Sequence, residues 1–274
     1  MKFSDHKTIQ SFGDEWTRFN QKNIENSELK KIFNSYFKIF PWHKIKNPLV
    51  GFDTGCGSGR WAKFVAPRVK VLNCIEPSKA IKVAKKNLSN FNNINFINST
   101  IQDLKIKSAS QDFGYVLGVL HHISYTESAL KSCVRILKKG SPLLIYMYYN
   151  FENKPLWFKF LWQISNIFRK LICMLPKKIK FLICDIIAVL IYYPLTKISI
   201  FLERVNFPLK NFPLASYRDK SFYTMRTDSR DRFGTPIEKR FSKKQIYNLM
   251  KKSGLEKIKF KNGNPFWLSI GYKK

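Results

Sequence analysis

The 274-residue chain has a formal net charge of +31 at pH 7, from 49 Lys and Arg against 18 Asp and Glu, and 45% of its residues are hydrophobic. This apolar fraction is enough for a packed core and excludes a wholly disordered chain. The length predicts one domain with an insertion, or one domain with a small cap.

The positive charge predicts attraction to anions, such as lipid headgroups, RNA or an acidic substrate. The chain has 38 Lys but only 11 Arg, whereas specific nucleic-acid readers rely on the bidentate contacts of Arg. A small-molecule acceptor or an anionic membrane surface is therefore favoured over nucleic acid as the partner. A compositional bias of the genome explains the Lys excess equally well, and nothing indicates an oligomeric state.

The five cysteines are odd in number and form no C-x-x-C pair, so the sequence predicts neither a disulfide framework nor a metal site. A reducing cytoplasm is the simplest setting for free thiols. The N-terminal stretch MKFSDHKTIQ lacks the apolar core of a secretion signal. We therefore expect a cytoplasmic protein. Its positive charge also allows peripheral attachment to the inner surface of the membrane, and this alternative stays open.

Residues 1–48 precede the first strand and are predicted to form an N-terminal helical cap. Apolar residues at three-to-four spacing indicate an amphipathic helix over 25–40, which Pro41 ends. Trp16 and Phe19 are candidates to line a ligand mouth, although a place in the core is favoured for both. Two interpretations stay open, a cap near that mouth and a plain surface helix.

The stretch LVGFDTGCGSGR, residues 49–60, indicates a buried strand, a tight turn and a helix. Its glycines tolerate positive φ and let a nucleotide-like ligand approach the backbone at the helix N-terminus. Asp53 stands two residues before the first of these glycines, where it would repel a pyrophosphate. It suits instead a ligand with an ammonium group and no phosphate, and S-adenosylmethionine is such a ligand.

A second acid, Glu76, ends the predicted second strand at about 70–75. An acid at this strand tip accepts hydrogen bonds from ribose hydroxyls in dinucleotide-binding folds. Pro77 and Ser78 then begin a helix that runs to about Leu88, with Ser78 as its N-cap candidate. The glycine turn, Asp53 and Glu76 together predict a binding site for S-adenosylmethionine.

The fourth predicted strand, residues 112–119, is followed by His121 and His122. Ligands of open α/β sheets bind outside the carboxyl ends of the strands, so both histidines are candidate catalytic residues. One of them is expected to act as a general base or to orient an acceptor, and the other to brace a loop. A purely structural role for both remains equally open, and adjacent positions are a poor geometry for chelating a metal.

Three segments, FDTGCGSGRW, CIEPS and DFGYVLGVLHHI, resemble the class I S-adenosylmethionine-dependent methyltransferases. The closest similarity is to the small-molecule methyltransferase domain shared with the quinone-biosynthesis C-methyltransferases, over residues 49–148 and 237–273. This resemblance implies an α/β three-layer sandwich with a Rossmann-like, seven-stranded, mostly parallel sheet and a C-terminal antiparallel hairpin. It also implies that the residues after the third strand meet the adenine, although Thr100 and Ile101 stand here where relatives often have Asp. The predicted cofactor-binding residues are Asp53, Gly55, Cys56, Gly57, Glu76, Pro77, Thr100, Ile101 and Gly118.

Residues 150–235 are not part of that common domain and are predicted to be a helical insertion with an acceptor-side loop. Pro176 separates two long apolar helices, and Pro194 is expected to kink the second. The longest uncharged run, 186–196, is too short to span a bilayer. The pattern fits helices at a membrane interface or a lid over an apolar substrate, and a helical subdomain packed on itself is the alternative.

The polar stretch that follows is predicted to be a long loop, and its aromatic residues argue against disorder. Tyr223 and Arg226 within it are the candidate substrate-binding residues for an anionic acceptor. Beyond it the sequence predicts a helix capped by Ser242, and then two strands joined by the hairpin signal NGN.

The sequence thus predicts three parts: a cap at 1–48, a methyltransferase domain at 49–149 and 236–274, and the insertion at 150–235. The predicted activity is methyl transfer from S-adenosylmethionine to a small molecule, such as a lipid-linked or sugar-nucleotide intermediate. Two alternatives stay open. One is an RNA methyltransferase that uses the basic surface, and the other is a non-catalytic scaffold of the same fold at a membrane surface.

Overall fold

A computed structural model describes residues 3–44, 49–263 and 267–274. The chain divides into two compact units. Unit 1 comprises Met1–Gln21, Leu29–Asn150 and Ile237–Lys274, and unit 2 comprises Lys22–Glu28 and Phe151–Pro236.

Unit 1 is built on a seven-stranded sheet with the strand order β3-β2-β1-β4-β5-β7-β6. Strands β1 to β5 are parallel, β7 runs antiparallel to β5, and β6 runs antiparallel to β7. The predicted mostly parallel sheet with a C-terminal antiparallel pair is therefore confirmed, while part of the NGN turn lies outside the described residues. The strands are β1 Val50–Thr54, β2 Val71–Ile75, β3 Ile94–Ile97, β4 Phe113–Leu117, β5 Pro142–Tyr146, β6 Leu255–Phe260 and β7 Leu268–Lys273.

Two glycines in the central strands β1 and β4 make room for phenylalanine rings of the neighbouring strand. Gly51 is paired with Phe113, and Phe52 is paired with Gly114. A Cβ atom at Gly114 would lie 2.1 Å from the Phe52 ring, and one at Gly51 would lie 2.2 Å from the Phe113 ring. Because both rings are fully buried, neither can move away from an added methyl group.

We therefore expect Gly114→Ala to lower the free energy of unfolding by about 3 kcal/mol or more, because overpacking of a rigid core is costly. Chemical denaturation measures this loss, and adding Phe52→Leu to the same chain should restore part of it. Gly140→Ala is the matched control, since a Cβ there meets nothing within 4 Å and only the strain of its positive φ remains, about 1 kcal/mol. Equal losses in the two variants would contradict the packing argument.

In the described part of the chain, six α-helices flank the sheet or follow it, and all of their residues belong to unit 1 except residues 26–28, which belong to unit 2. The predicted amphipathic helix forms over Asn26–Phe37 and buries Leu29, Phe33 and Phe37. The first helix lies within the predicted helical cap at 1–48, but the sequence did not predict its bounds, because the face that it buries is mainly polar. The last helix begins at Ser242, whose side chain forms a capping box with Gln245 as predicted. The helices are α1 Phe3–Arg18, α2 Asn26–Phe37, α3 Ala62–Val65, α4 Ala80–Asn87, α5 Thr126–Ile136 and, at the end of the chain, Lys243–Lys252.

Unit 2 is helical. Its second long helix continues from Lys177 to Arg204, and the missing N–H of Pro194 is accommodated by a π-helical turn at Ala188–Tyr192. The prediction of an extended loop was wrong over Phe222–Gly234, which forms a helix capped by Ser221. That helix is mainly polar, and its few apolar residues, such as Met225 and Phe233, form no continuous stripe, so apolar periodicity does not reveal it. The helices of unit 2 are α6 Leu156–Ile172, α7 Lys177–Ile187, α8 Tyr193–Arg204 and α9 Phe222–Gly234, and the Lys243–Lys252 helix of unit 1 is α10.

Candidate functional site

The candidate site lies at the carboxyl ends of β1, β2 and β4 in unit 1. The strand order reverses between β1 and β4, because β2 and β3 lie on one side of β1 while β4 and β5 lie on the other. Open α/β sheets bind their ligands outside the strand ends at such a reversal. This one edge of the sheet carries Asp53 and Glu76, and the segment around His121 begins there as well.

The turn after β1 has the backbone conformation that its glycines predict. Gly55 and Gly57 have φ values of +70° and +55°, which residues with a side chain rarely adopt. The backbone N–H of Gly55 donates to the carbonyl of Ile75 at 2.7 Å, which fixes the turn against the end of β2. A Cβ at Gly57 would lie 2.9 Å from the indole nitrogen of Trp16, so that indole covers the turn.

Asp53 is buried beside this turn, and its Oδ2 atom has no hydrogen-bond partner among the described residues. Burial raises the pKa of Asp53 to about 8, and the nearby Glu76 carboxylate adds to this, while the Tyr115 hydroxyl and the Arg60 guanidinium lower it. Burying a charged carboxylate oxygen without a partner costs free energy unless a bound ligand supplies that partner. An ammonium group is the partner that would stabilise its charged form.

Glu76 holds the turn and keeps acceptor capacity for a ligand. Its Oε2 accepts the backbone N–H of Gly57 and its Oε1 accepts that of Ser78, both at 3.0 Å. Burial raises the pKa of Glu76 in spite of these two hydrogen bonds. A carboxylate offers about four lone-pair sites, so acceptor sites remain for ribose hydroxyls.

The other predicted cofactor residues differ in what their side chains do. The Cys56 thiol is buried, and its hydrogen bond with Cys74 together with burial raises its pKa well above the ordinary value, so it stays protonated. Thr100 donates its hydroxyl to Asp103 at 2.6 Å, and Ile101 packs into the core of the sheet. The side chains of Thr100 and Ile101 are thus engaged, and their backbone groups remain for contacts with a ligand. Pro77 is half-buried beside Glu76.

Space for a ligand is open at the end of β4. Gly118 has a φ of +81°, and a Cβ atom added there would meet nothing within 4 Å. The backbone N–H of Gly118 donates to the carbonyl of Tyr146 at 3.2 Å. The end of β4 is therefore fixed to β5 while its outer side remains open.

The two histidines after β4 are both buried but differ in their contacts. The ring of His121 stacks on that of Tyr148 with centroids 3.8 Å apart, and both of its nitrogens lack a hydrogen-bond partner in the described structure. Burial, together with His122 and Arg240, lowers the pKa of His121 well below 6.5, so the ring is neutral at pH 7. Nδ1 of His122 lies 2.5 Å from the carbonyl oxygen of Ile237, a contact that favours the Nδ1–H tautomer and fixes the returning chain.

Residues distant in sequence complete this side of the site, and sequence patterns did not reveal them. The Arg240 guanidinium lies over the Tyr148 ring, 5.1 Å from its centroid, and donates to Glu238 at 2.9 Å. The backbone N–H of Lys239 donates to the carbonyl of His121 at 2.9 Å. This charged segment follows the insertion and has no motif of its own.

Helix α1 also borders the site. Trp16 carries the Arg60 guanidinium over its ring at 4.8 Å, Asp14 forms an ion pair with Lys79, and Asp5 accepts the backbone N–H of Ser124 at 2.9 Å. The expectation that Trp16 lines the mouth agrees with its place against Gly57. Phe19, the other candidate, is buried in the core.

The predicted acceptor residues Tyr223 and Arg226 lie on α9 of unit 2. Arg226 donates two hydrogen bonds to the carboxylate of Asp185, at 3.0 and 3.1 Å. Its guanidinium thus stabilises the interior of unit 2 in this structure. Within the described parts of the chain, no group of three or more His, Cys, Asp and Glu side chains is placed to hold a metal ion.

Comparisons with known proteins agree with this geometry. Residues 52–145 match the family model described as a methyltransferase domain, while no curated protein matches the chain. The structure is similar to an O-methyltransferase family protein of Burkholderia thailandensis, with a TM-score of 0.55 and 13% identity over 94% of this chain and 59% of that one. It is also similar to the Haloferax volcanii methyltransferase solved with the Trm112 activator, with a TM-score of 0.53 and 11% identity over 95% and 96%.

At these identities the structural likeness establishes the fold, and the domain match covers β1 to β5, from which Asp53, Glu76 and Gly118 extend. The unpartnered Asp53 carboxylate, the remaining acceptor sites of Glu76 and the open space at Gly118 fit an adenosyl ligand with an ammonium group. The chain therefore contains a class I S-adenosylmethionine-dependent methyltransferase domain, with S-adenosylmethionine as its methyl donor.

Proposed function

We propose that the protein methylates a nucleophilic O, N or C atom of a small amphiphilic acceptor, such as a lipid-linked or sugar-nucleotide intermediate. The observation that supports the reaction is the buried carboxylate of Asp53, whose Oδ2 lacks a hydrogen-bond partner among the described residues, beside a glycine turn at the strand reversal. Asp53 binds the ammonium group of the donor, and Glu76 binds its ribose. The site supplies mainly proximity and alignment, because an in-line displacement needs little further chemistry from the protein.

When bound, the donor supplies an electrophilic methyl carbon whose bond to the sulfonium breaks as the acceptor's lone pair attacks. An acceptor oxygen or nitrogen then has a proton to lose. His121 is neutral at pH 7 because burial lowers its pKa, and its two nitrogens lack partners among the described residues. We assign it the role of proton acceptor, while His122 holds the returning chain through Ile237.

The acceptor class rests on two properties of the chain. The net charge of +31 favours an anionic group on the acceptor, and the apolar side chains exposed on unit 2 favour a lipid portion. Tyr223 and Arg226 stay in the proposal as acceptor contacts. Arg226 then has to exchange Asp185 for the anionic group of the acceptor.

A transfer assay tests this function. The protein is incubated with S-adenosylmethionine labelled with tritium on its methyl group and with fractionated cell extract, and we expect label in a lipid or in a soluble metabolite. His121→Phe keeps the ring stacked on Tyr148 but removes its nitrogens, so it should lower kcat by about 100-fold with little change in the affinity for the donor. Label in RNA would favour the RNA methyltransferase. Absence of label, together with absence of S-adenosylhomocysteine binding in a calorimeter, would favour the non-catalytic scaffold.

A further inference from the structure

Helix α6 of unit 2 exposes its apolar side and buries its polar side. Phe160, Ile167 and Leu171 are each about 60% exposed (62%, 61% and 60%), and they recur at the spacing of one helix face. The opposite face contains Arg169, which is only 5% exposed. Its guanidinium donates to Asn166 and to the carbonyl oxygen of Thr235, both at 2.8 Å.

The long helix Lys177–Arg204 repeats this arrangement. Its buried face contains small and polar side chains, such as Ala188, Thr196 and Ser199, beside the aromatic rings of Phe181 and Tyr192. Its exposed face contains large apolar ones, including Leu182 at 60% and Leu190 at 68% exposed. By length and composition, this is the one helix in the described chain that is long and apolar enough to cross a membrane.

Helix α9 is the polar element against which these helices pack. Arg230 is fully buried and lies over the Phe181 ring, 4.9 Å from its centroid. The Ser229 hydroxyl donates to the carbonyl of Cys184 at 2.8 Å, and the ion pair of Arg226 with Asp185 joins α9 to α7. The interior of unit 2 thus combines charged and hydroxyl groups with a small apolar cluster that includes Ile172, Met225 and Phe233, while many large aliphatic and aromatic groups lie on its outside.

In a water-soluble helical unit most of the large apolar residues turn inward, whereas most of those on α6 and on Lys177–Arg204 face outward. Helices in contact with lipid show the arrangement seen here, with small and polar residues at the helix contacts and ionisable groups facing the interior. Apolar surface of this extent in water also marks an interaction site. A second copy of the chain would bury the apolar groups too, but the charge pattern points to lipid.

Lysines border the apolar face. On the long helix the exposed apolar residues run from Ile179 to Phe201, with Lys178 before them and Lys197 between them, both exposed. Residues 151–236 carry 15 Lys and Arg against six Asp and Glu. Such lysines reach anionic headgroups while their stems cover apolar surface. The exposed apolar residues extend over about 33 Å at 1.5 Å per residue, about the thickness of the roughly 30 Å hydrocarbon layer, but the exposed Lys197 among them favours an in-plane position over a spanning one.

We propose that the apolar face of unit 2, formed by the exposed sides of α6 and of Lys177–Arg204, lies in the interfacial layer of an anionic lipid bilayer. The lysines at its border bind the headgroups, and the polar α9 holds the two apolar helices in place from the interior. This attachment does not depend on methyl transfer. It would hold equally for an enzyme and for a scaffold.

Flotation of the full-length protein with lipid vesicles tests the proposal. We expect binding to vesicles that contain phosphatidylglycerol, about 100-fold weaker binding to vesicles of phosphatidylcholine alone, and release by salt. Replacing Lys170, Lys178 and Lys197 together by Gln should cost about 100-fold in affinity for the anionic vesicles. The matched control replaces Lys82, Lys85 and Lys86 of α4, which are also exposed, and should bind as the unchanged protein does.

The apolar contact is tested separately. Phe160→Gln with Leu190→Gln should abolish flotation, whereas Tyr247→Gln, at an exposed aromatic position of α10, should not. Acyl-brominated lipids should quench the fluorescence of Trp157 on α6, a loss that Trp157→Phe removes, and this readout needs no destabilising change. Binding that does not distinguish the two vesicle types, absence of quenching, resistance to alkaline carbonate extraction or a stable dimer that ignores vesicles would each overturn the proposal.

Discussion

Asp53→Asn is expected to weaken the binding of S-adenosylhomocysteine by about 100-fold or more, because it removes the buried charge that faces the ammonium group of the ligand. The same change should stabilise the ligand-free protein at pH 8. The carboxylate is buried with Oδ2 unpartnered, and the folded state therefore disfavours its charge. Asparagine has nearly the same shape and carries no charge to desolvate.

The pH dependence follows from the pKa of Asp53, which is about 8 in the folded, ligand-free protein and about 3.9 in an unfolded chain. At a pH between these two pKa values, folding takes up a proton at Asp53. The contribution of protonated Asp53 to stability is therefore fully present below about pH 4 and is lost as the pH rises to about 8. The difference in Tm between Asp53→Asn and the unchanged protein should therefore grow over this range. Ligand binding should release a proton below pH 8, since the ammonium group favours the charged carboxylate.

Calorimetry in buffers of different ionisation enthalpy measures that proton release, and thermal melts at several pH values measure the stability. Glu127→Gln is the matched control, because Glu127 is an exposed carboxylate paired with Lys131 at the surface, and it should change neither quantity. Binding of S-adenosylhomocysteine by Asp53→Asn with unchanged affinity would show that another group holds the ammonium.

The parallel sheet could be predicted because each strand is a short apolar run and each ends at a motif or a turn. The bounds of α1 and the whole of α9 could not, since apolar periodicity is the signal for a helix and the faces that they bury are mainly polar. On α1 the buried side chains include Thr8, Ser11 and Glu15, and on α9 they include Thr227 and Arg230. Tertiary hydrogen bonds, which local sequence does not encode, make those faces the inner ones.

The candidate site, like the fold, could be predicted only where its residues belong to local sequence motifs. Asp53 and Glu76 stand at strand ends beside glycines or a helix start, so spacing alone brings them together. The different roles of His121 and His122 depend on their contacts with Tyr148 and with Ile237. Ile237 lies 115 residues from His122 in the chain. Arg240 likewise reaches the site only through folding, and no sequence pattern around it indicates a ligand.

Glu76→Gln is expected to weaken both S-adenosylhomocysteine and 5′-methylthioadenosine by about 10- to 100-fold, because both ligands carry the ribose that Glu76 is placed to bind. Asp53→Asn should weaken only the first, since 5′-methylthioadenosine has no amino-acid portion. The amide of the Gln side chain can accept only one of the two backbone N–H groups of Gly57 and Ser78. Its NH2 then faces the other, so the turn loosens as well.

Calorimetric titration of both ligands against the two variants separates these roles, with Glu127→Gln as the control in each series. The ratio of the two affinities is the informative quantity, because general loosening of the turn weakens both ligands in either variant, whereas a contact with one portion of the ligand changes the ratio. We expect Glu76→Gln to leave the ratio near that of the unchanged protein and Asp53→Asn to shift it by about 100-fold. If Glu76→Gln weakened S-adenosylhomocysteine alone, the ribose contact would have to be assigned elsewhere, and Glu76 would act only through its hydrogen bonds to Gly57 and Ser78.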